Sequence, residues 1–226
     1  MKGKTYNLFF IFLIFIFIIC FFIFIFKYNL KEPMTNNDTI VLIGDSILNN
    51  NMYVPVGNSV ADNIKLLHGN NVIIGAKDGA TIDTCYQQLT INNIVNSENY
   101  FLFISIGGND ILNNSFDNLN NKNKKNKNNK FDNLKKKYIE LIDSIKEKYP
   151  KIKINLLNLY FPTDEKYNKY EKIIIEWNKM ISSLCSKNKY NLLRLDNLLT
   201  NASDFTHEIE PSAIGSEKIA KLIVDY

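Results

Sequence analysis

The sequence is poor in cysteine and histidine. Its 226 residues hold 3 cysteines, Cys20, Cys85 and Cys185, with no CxxC pair. That excludes a disulfide framework and argues against a cysteine-based zinc site. Only 2 histidines are present, His68 and His207, so a mechanism with a histidine base must use one of them. An excess of one charge is also missing. Lys and Arg number 27 against 23 Asp and Glu, a formal net charge of +4. Nucleic-acid binders need a denser basic face than that, and no nucleic-acid partner is expected. No GxGxxG follows the first apolar run of the chain's polar part, which argues against a dinucleotide site.

What is present is unevenly spread. Leu8 to Phe26 is an unbroken apolar run of 19 residues. As a helix it would measure about 28 Å, close to the hydrocarbon core of a bilayer. Cleaved signal cores are shorter and end at small residues, whereas this run ends in Lys27-Tyr28-Asn29. The expectation is one uncleaved transmembrane helix: a single-pass N-terminal anchor placing the protein at a membrane. Lys2 and Lys4 flank one side and Lys27 and Lys31 the other, which leans the N-terminus only slightly towards the cytosol. Residues 1–38 form the anchor and linker, and residues 39–226 a second domain.

Within 39–226, short apolar runs alternate with helical periodicity. Strands are predicted at Thr39–Gly44, Asn71–Gly75, Tyr100–Gly107, Ile152–Leu159 and Asn191–Leu195. Helices are predicted at Asn58–Leu67, Phe131–Tyr149, Tyr167–Ser186 and Ser212–Val224, the second ended by Pro150. This alternation predicts an α/β fold: a three-layer α/β/α sandwich around a five-stranded parallel sheet. Residues 118–130, NLNNKNKKNKNNK, cannot bury apolar surface and read as a mobile surface loop, a solvated insertion.

Four segments could carry chemistry. Gly44-Asp45-Ser46 follows the first strand, at the end of the sheet where open α/β folds bind ligands. On its own, Ser46 could equally be a helix N-cap. Gly79 lies in Lys77-Asp78-Gly79-Ala80 after the second strand, where a backbone N–H without a side chain can approach a substrate oxygen. Gly107-Gly108-Asn109-Asp110 follows the third strand, and the Asn109 amide can donate to a developing oxyanion. Asp204-Phe-Thr-His207 precedes the last helix, and a carboxylate at that spacing can orient an imidazole. His68, before Gly69 at a predicted helix end, reads as structural.

In this order the four segments resemble the SGNH hydrolases, also called GDSL esterases and lipases. The resemblance covers about residues 39–226. It implies a flavodoxin-like fold and ester hydrolysis without a metal or other cofactor. It implies Ser46 as nucleophile, with an oxyanion hole of the Ser46 and Gly79 backbone N–H groups and the Asn109 side chain. His207 would be the base and Asp204 its partner. One departure stands out. The family follows its histidine with Pro and then a Gly that opens the last helix, and here that context is Glu210-Pro211-Ser212-Ala213-Ile214-Gly215. By context Glu210 takes the histidine's place and His207 the aspartate's. Three readings are open: His207 is the base, Glu210 is the base, or the pocket has lost its chemistry. The expected function is a membrane-anchored serine esterase acting on acyl esters, acetyl among them, of a lipid or glycan. The rival is a non-catalytic membrane-tethered binding module with a degenerate pocket.

Overall fold

In the computed structural model of the protein, residues 10–21, 34–35, 37–114 and 124–225 are described. The chain divides into two units, Met1–Met34 and Thr35–Tyr226.

In the first unit, residues 10–21 form helix α1, and its apolar side chains are exposed. Twelve helical residues span about 18 Å, against about 30 Å of bilayer hydrocarbon. Among the described residues no helix is long and apolar enough to cross a membrane. The expected 19-residue spanning helix is therefore not seen as such. Residues 8–9 and 22–26 of that run lie outside the described residues.

The second unit is built on a parallel sheet. Its strands are β1 (Thr39–Gly44), β2 (Val72–Ile74), β3 (Tyr100–Ser105), β4 (Lys153–Leu157) and β5 (Asn191–Leu193), in spatial order β2-β1-β3-β4-β5. All four pairings are parallel. The inner strands β1 and β3 are buried along nearly their whole length, as continuous Ile/Val/Leu/Phe runs require when both faces are covered.

Helices α2 (Val60–His68) and α8 (Ala213–Val224) pack together, with the short α7 (Leu195–Leu198) against α8; α3 (Ile82–Ile91), α5 (Lys124–Lys148) and α6 (Glu171–Asn188) form a second group. Right-handed crossovers produce this division, because the strand order reverses at β1. The result is the expected three-layer sandwich.

Local chemistry fixes the helix ends. Ser59 caps α2 by accepting from Asp62 N, and Asp62 Oδ2 in turn accepts from Ser59 N. Ser212 caps α8 through Gly215 N at 3.2 Å. His68 ends α2 buried, its Nε2 2.9 Å from the Asp38 carbonyl oxygen.

One expectation needs correction and one element was not foreseen. Residues 124–130, read as part of a surface loop, are helical and begin α5. Lysine is a good helix former, and the buried stripe of Phe131, Leu134, Tyr138, Leu141 and Ile142 anchors the helix they extend. Residues 118–123 lie outside the described residues. Helix α3 had no counterpart in the sequence reading, although Ile82, Cys85 and Leu89 make its buried stripe.

Candidate active site

The site forms where β1 and β3 end side by side. Gly44 is in register with Ser105, so the two segments that follow emerge together. At this switch in strand order the crossovers leave to opposite faces and open a crevice. Gly44 has φ +133°, and a Cβ there would stand 1.8 Å from the Ser105 carbonyl oxygen. Only glycine lets the strands meet so closely. Gln88 of α3 brackets the same residue: Gly44 N donates to its Oε1 at 2.7 Å, and its Nε2 donates to the Gly44 carbonyl at 2.8 Å.

Past Gly44 the chain turns. Asp45 N donates to Ser105 O at 3.1 Å, and Asp45 Oδ1 accepts from Ile47 N at 3.1 Å. Ser46 is thereby held at the crevice floor. After β3, Gly107 takes φ +115°, with the Trp177 ring where a Cβ would stand. It opens helix α4 (Gly108–Asn113), whose Asn109 lines the same pocket as Ser46. One N–H of the Asn109 amide donates to the Ala80 carbonyl at 3.0 Å. This ties α4 to the Gly79 turn, where Gly79 has φ +71°. Among the described residues, no protein acceptor pairs with the backbone N–H of Ser46 or of Gly79. Asp110 turns the other way and accepts from Ile82 N at 3.1 Å, at the start of α3.

The fourth segment arrives on a hairpin of β6 (Phe205–Thr206) and β7 (Glu210–Pro211). Its turn holds two consecutive non-glycine residues at positive φ, His207 at 43° and Glu208 at 73°. Side chains tie the hairpin down. Tyr160 OH donates to Ile209 O at 2.6 Å, and Tyr167 OH to Glu208 Oε2 at 3.3 Å. Lys166 pairs with Glu208. On the other side Asn50 Nδ2 donates to Pro211 O at 2.8 Å and to Ser216 Oγ at 2.6 Å, while Asn50 Oδ1 accepts from Val60 N at 3.0 Å.

This hairpin brings Glu210 to the serine. Ser46 Oγ donates to Glu210 Oε1 at 3.2 Å. The other oxygen, Oε2, is buried with no hydrogen-bond partner. Burial raises the Glu210 pKa above its ordinary value. The Ser46 bond opposes that rise, the Asp78 charge adds to it, and His207 opposes it. Asp45 is pushed up to about 8, chiefly by burial and then by the charges of Glu210 and Asp110, against the Ile47 N–H bond.

The expected pairing of Asp204 with His207 is not formed. Asp204 is fully buried, and its Oδ1 accepts from Lys218 Nζ at 2.7 Å. Its Oδ2 accepts from Thr200 N and Asn201 N, each at 3.0 Å. Burial pushes this carboxyl up, but the lysine and the backbone donors outweigh it and hold the carboxyl below its ordinary value. Both oxygens of Asp204 thus go into fixing the hairpin base to its own turn and to α8. His207 is exposed and meets the Tyr53 ring edge-on. The serine's hydrogen-bond partner is Glu210 rather than His207.

Beside Ser46 the pocket is walled mainly by apolar groups, among them Ile111, Leu112, Leu159, Pro162, Tyr170 and Ile174. No group of three or more His, Cys, Asp or Glu able to hold a metal occurs among the described residues.

Residues 42–217 match the profile of the GDSL-like Lipase/Acylhydrolase family. The chain belongs to this family. Solved structures share its fold at low identity. A lipolytic protein of the G-D-S-L family from Veillonella parvula is 17% identical, with a TM-score of 0.63 over 82% of this chain and 96% of that one. A lipase from a goat rumen metagenome is 18% identical, with a TM-score of 0.64 over 82% and 95%. A GDSL-like lipase from Bacteroides thetaiotaomicron is 16% identical, with a TM-score of 0.59 over 87% and 90%. No curated protein matches the chain.

For a GDSL-like acylhydrolase the site contains residues that its sequence motifs do not announce. Gln88, Asn50 and Tyr160 all act through long-range bonds, and nothing in their immediate sequence marks them. Glu210 was marked by the Pro211 and Gly215 that follow it.

Proposed function

We propose that the protein is a serine ester hydrolase in which Ser46 is the nucleophile and Glu210 the base. The observation that carries this reading is the Ser46 Oγ to Glu210 Oε1 hydrogen bond of 3.2 Å. That is long for an O–H···O bond, but hydrogen bonds to a catalytic base often tighten only once substrate is bound. A carboxylate is a weak base for a hydroxyl at its ordinary pKa. Burial of Glu210 raises it in the helpful direction.

Ser46 Oγ attacks the acyl carbonyl as Glu210 takes the hydroxyl proton. The negative charge gathers on the carbonyl oxygen, where the Ser46 N–H, the Gly79 N–H and the second Asn109 amide N–H can meet it. The tetrahedral intermediate collapses, Glu210 returns the proton to the leaving alkoxide, and the alcohol departs. Water then attacks the acyl-serine as Glu210 takes its proton, and Glu210 passes that proton to Ser46 Oγ as the acyl–Oγ bond breaks and the carboxylic acid leaves. A charge on His207 favours the ionised form of Glu210. Asp204 holds the hairpin. The apolar pocket wall suits the acyl side of a lipid or glycan ester. The apolar run of residues 8–26 supports a single-pass anchor that keeps this domain at a membrane.

One observation favours a second reading. A buried Glu210 Oε2 without a partner is also what a protonated, non-basic carboxyl would leave, and the domain would then be a membrane-tethered binding module. Hydrolysis of 4-nitrophenyl esters tests the proposal. Turnover by the wild type that vanishes in Ser46→Ala supports it. No turnover of any chain length, with intact folding, selects the binding module.

A further inference from the structure

Three loops from different strand ends meet on one side chain beside the Ser46–Glu210 pair. Tyr53 lies in the loop after Ser46. Its hydroxyl donates to Asp78 Oδ2 at 2.8 Å. Its ring meets the His207 imidazole edge-on, with centroids 5.6 Å apart and planes at 61°. Asp78 directly precedes Gly79, and His207 stands three residues before Glu210. We infer that Tyr53 is a positioning residue, holding the Gly79 turn through its hydroxyl and the Glu210 hairpin through its ring, both in place against Ser46. The role rests on the reading of Gly79 as an oxyanion donor and Glu210 as the base.

The Gly79 tip has the greater need of such a tie, the hairpin being held by Tyr160 and Tyr167 as well. Lys77, Asp78 and Gly79 are all exposed, and no atom lies within 4 Å of where a Gly79 Cβ would stand. Core packing therefore does not fix the Gly79 N–H. The local bonds end one residue later, with Ala80 N on Lys77 O at 3.1 Å and Asn109 Nδ2 on Ala80 O at 3.0 Å. The hairpin turn carries its two left-handed residues at a conformational cost. A catalytic group displaced by about 1 Å can lose about 10²-fold in rate. A single bridging hydrogen bond is worth less, about 2- to 10-fold. Asp78 also keeps the Tyr53 phenol protonated, pushed up to about 12, so the hydroxyl remains a donor across the working pH range.

Tyr53→Phe keeps the ring and removes the hydroxyl; Tyr53→Leu removes both contacts. In the full chain the readouts are the order parameter of the Gly79 amide, the imidazole resonances of His207, and kcat against KM on a 4-nitrophenyl ester. Tyr53→Phe should lower the Gly79 order parameter from about 0.85 towards 0.6 or below, leave the His207 resonances in place, and reduce kcat about 2- to 10-fold at unchanged KM. Tyr53→Leu should in addition move the His207 resonances. Asp78→Ala should lower the Gly79 order parameter as Tyr53→Phe does, and in that readout the double variant should be no worse than either; its kcat also reflects the loss of the Asp78 charge beside Glu210. An unchanged Gly79 order parameter in Tyr53→Phe, or a further fall of it in the double variant, overturns the assignment. If the wild type hydrolyses no ester, the hydrolase reading fails, and the order parameter and resonances still decide on Tyr53.

Discussion

Glu210 Oε1 accepts the Ser46 hydroxyl hydrogen at 3.2 Å, across 164 residues of chain. A carboxylate thus stands where the family motif would place an imidazole. The pair meets because two independent frames converge. The β1–β3 register delivers Ser46, and Asn50 and Tyr160 pin the hairpin that delivers Glu210.

A carboxylate base gives a pH profile of its own. With Glu210 as the proposed base, the ionised form is the active one; burial lifts its pKa, so kcat/KM should rise with pH through a midpoint above the ordinary glutamate value of about 4.3. His207→Ala removes a charge that favours ionised Glu210. The acid limb of that variant should move to higher pH, with little loss on the alkaline plateau. Initial rates between pH 4 and 9 for both proteins measure this. An acid limb that stays in place would remove His207 from any electrostatic role.

Asn109→Ala should lower kcat about 10²- to 10³-fold with little change in KM, because an oxyanion donor acts mainly in the transition state. The same substitution removes the tie to Ala80 O. Asn109→Asp, which keeps the size but supplies no donor when ionised, should be as poor. Steady-state kinetics of both variants check this, and a near-native kcat in either would exclude the amide from the hole.

Much of this arrangement was legible in the sequence, and the reasons differ by element. The inner strands β1 and β3 announced themselves as apolar runs ending in glycine or serine, because a sheet covered on both faces allows little else. Glu210 was legible from Pro211, Ser212 and Gly215: Ser212 caps α8, and a Cβ at Gly215 would press on the Asp204 carbonyl at 2.3 Å. The partner of Asp204 was not legible. Spacing pointed to His207 three residues away, but the fold supplies Lys218 from the next helix at 2.7 Å. Helix α3 escaped because its apolar positions are few, with Thr and Gln between them. Gln88 and Asn50 could not be read at all, since their ties to the site run to partners 44 and more than 160 residues away.

Asp45 should make the fold less stable as pH rises. Its folded pKa is about 8, against about 3.9 for an unfolded aspartate. Between those values the folded state binds more protons than the unfolded one, so stability falls from about pH 4 to about pH 8. Asp45→Asn keeps an acceptor for Ile47 N and cannot ionise. Its Tm should exceed that of the wild type at pH 8 and approach it at pH 4. Thermal unfolding at the two pH values tests this; equal pH slopes would mean that Asp45 is not the group responsible.

Asn50→Ala should cost about 1–3 kcal/mol for each buried partner left unsatisfied. Those partners are Val60 N, Pro211 O and Ser216 Oγ. Because Pro211 adjoins Glu210, the rate of a still-folded variant should fall too. Denaturant unfolding with parallel rate measurements separates the two effects. Stability within 0.5 kcal/mol of the wild type would contradict the role given to this side chain.

The assignment of the base is tested most directly by the rate at which a fluorophosphonate labels Ser46. The wild type should label at Ser46 alone. Glu210→Gln should label about 10²-fold or more slowly, as expected when a general base is lost, while His207→Ala at pH 8 should stay within a few-fold of the wild type. Labelling abolished by His207→Ala but tolerant of Glu210→Gln would contradict the account, as would a folded wild type whose Ser46 does not react.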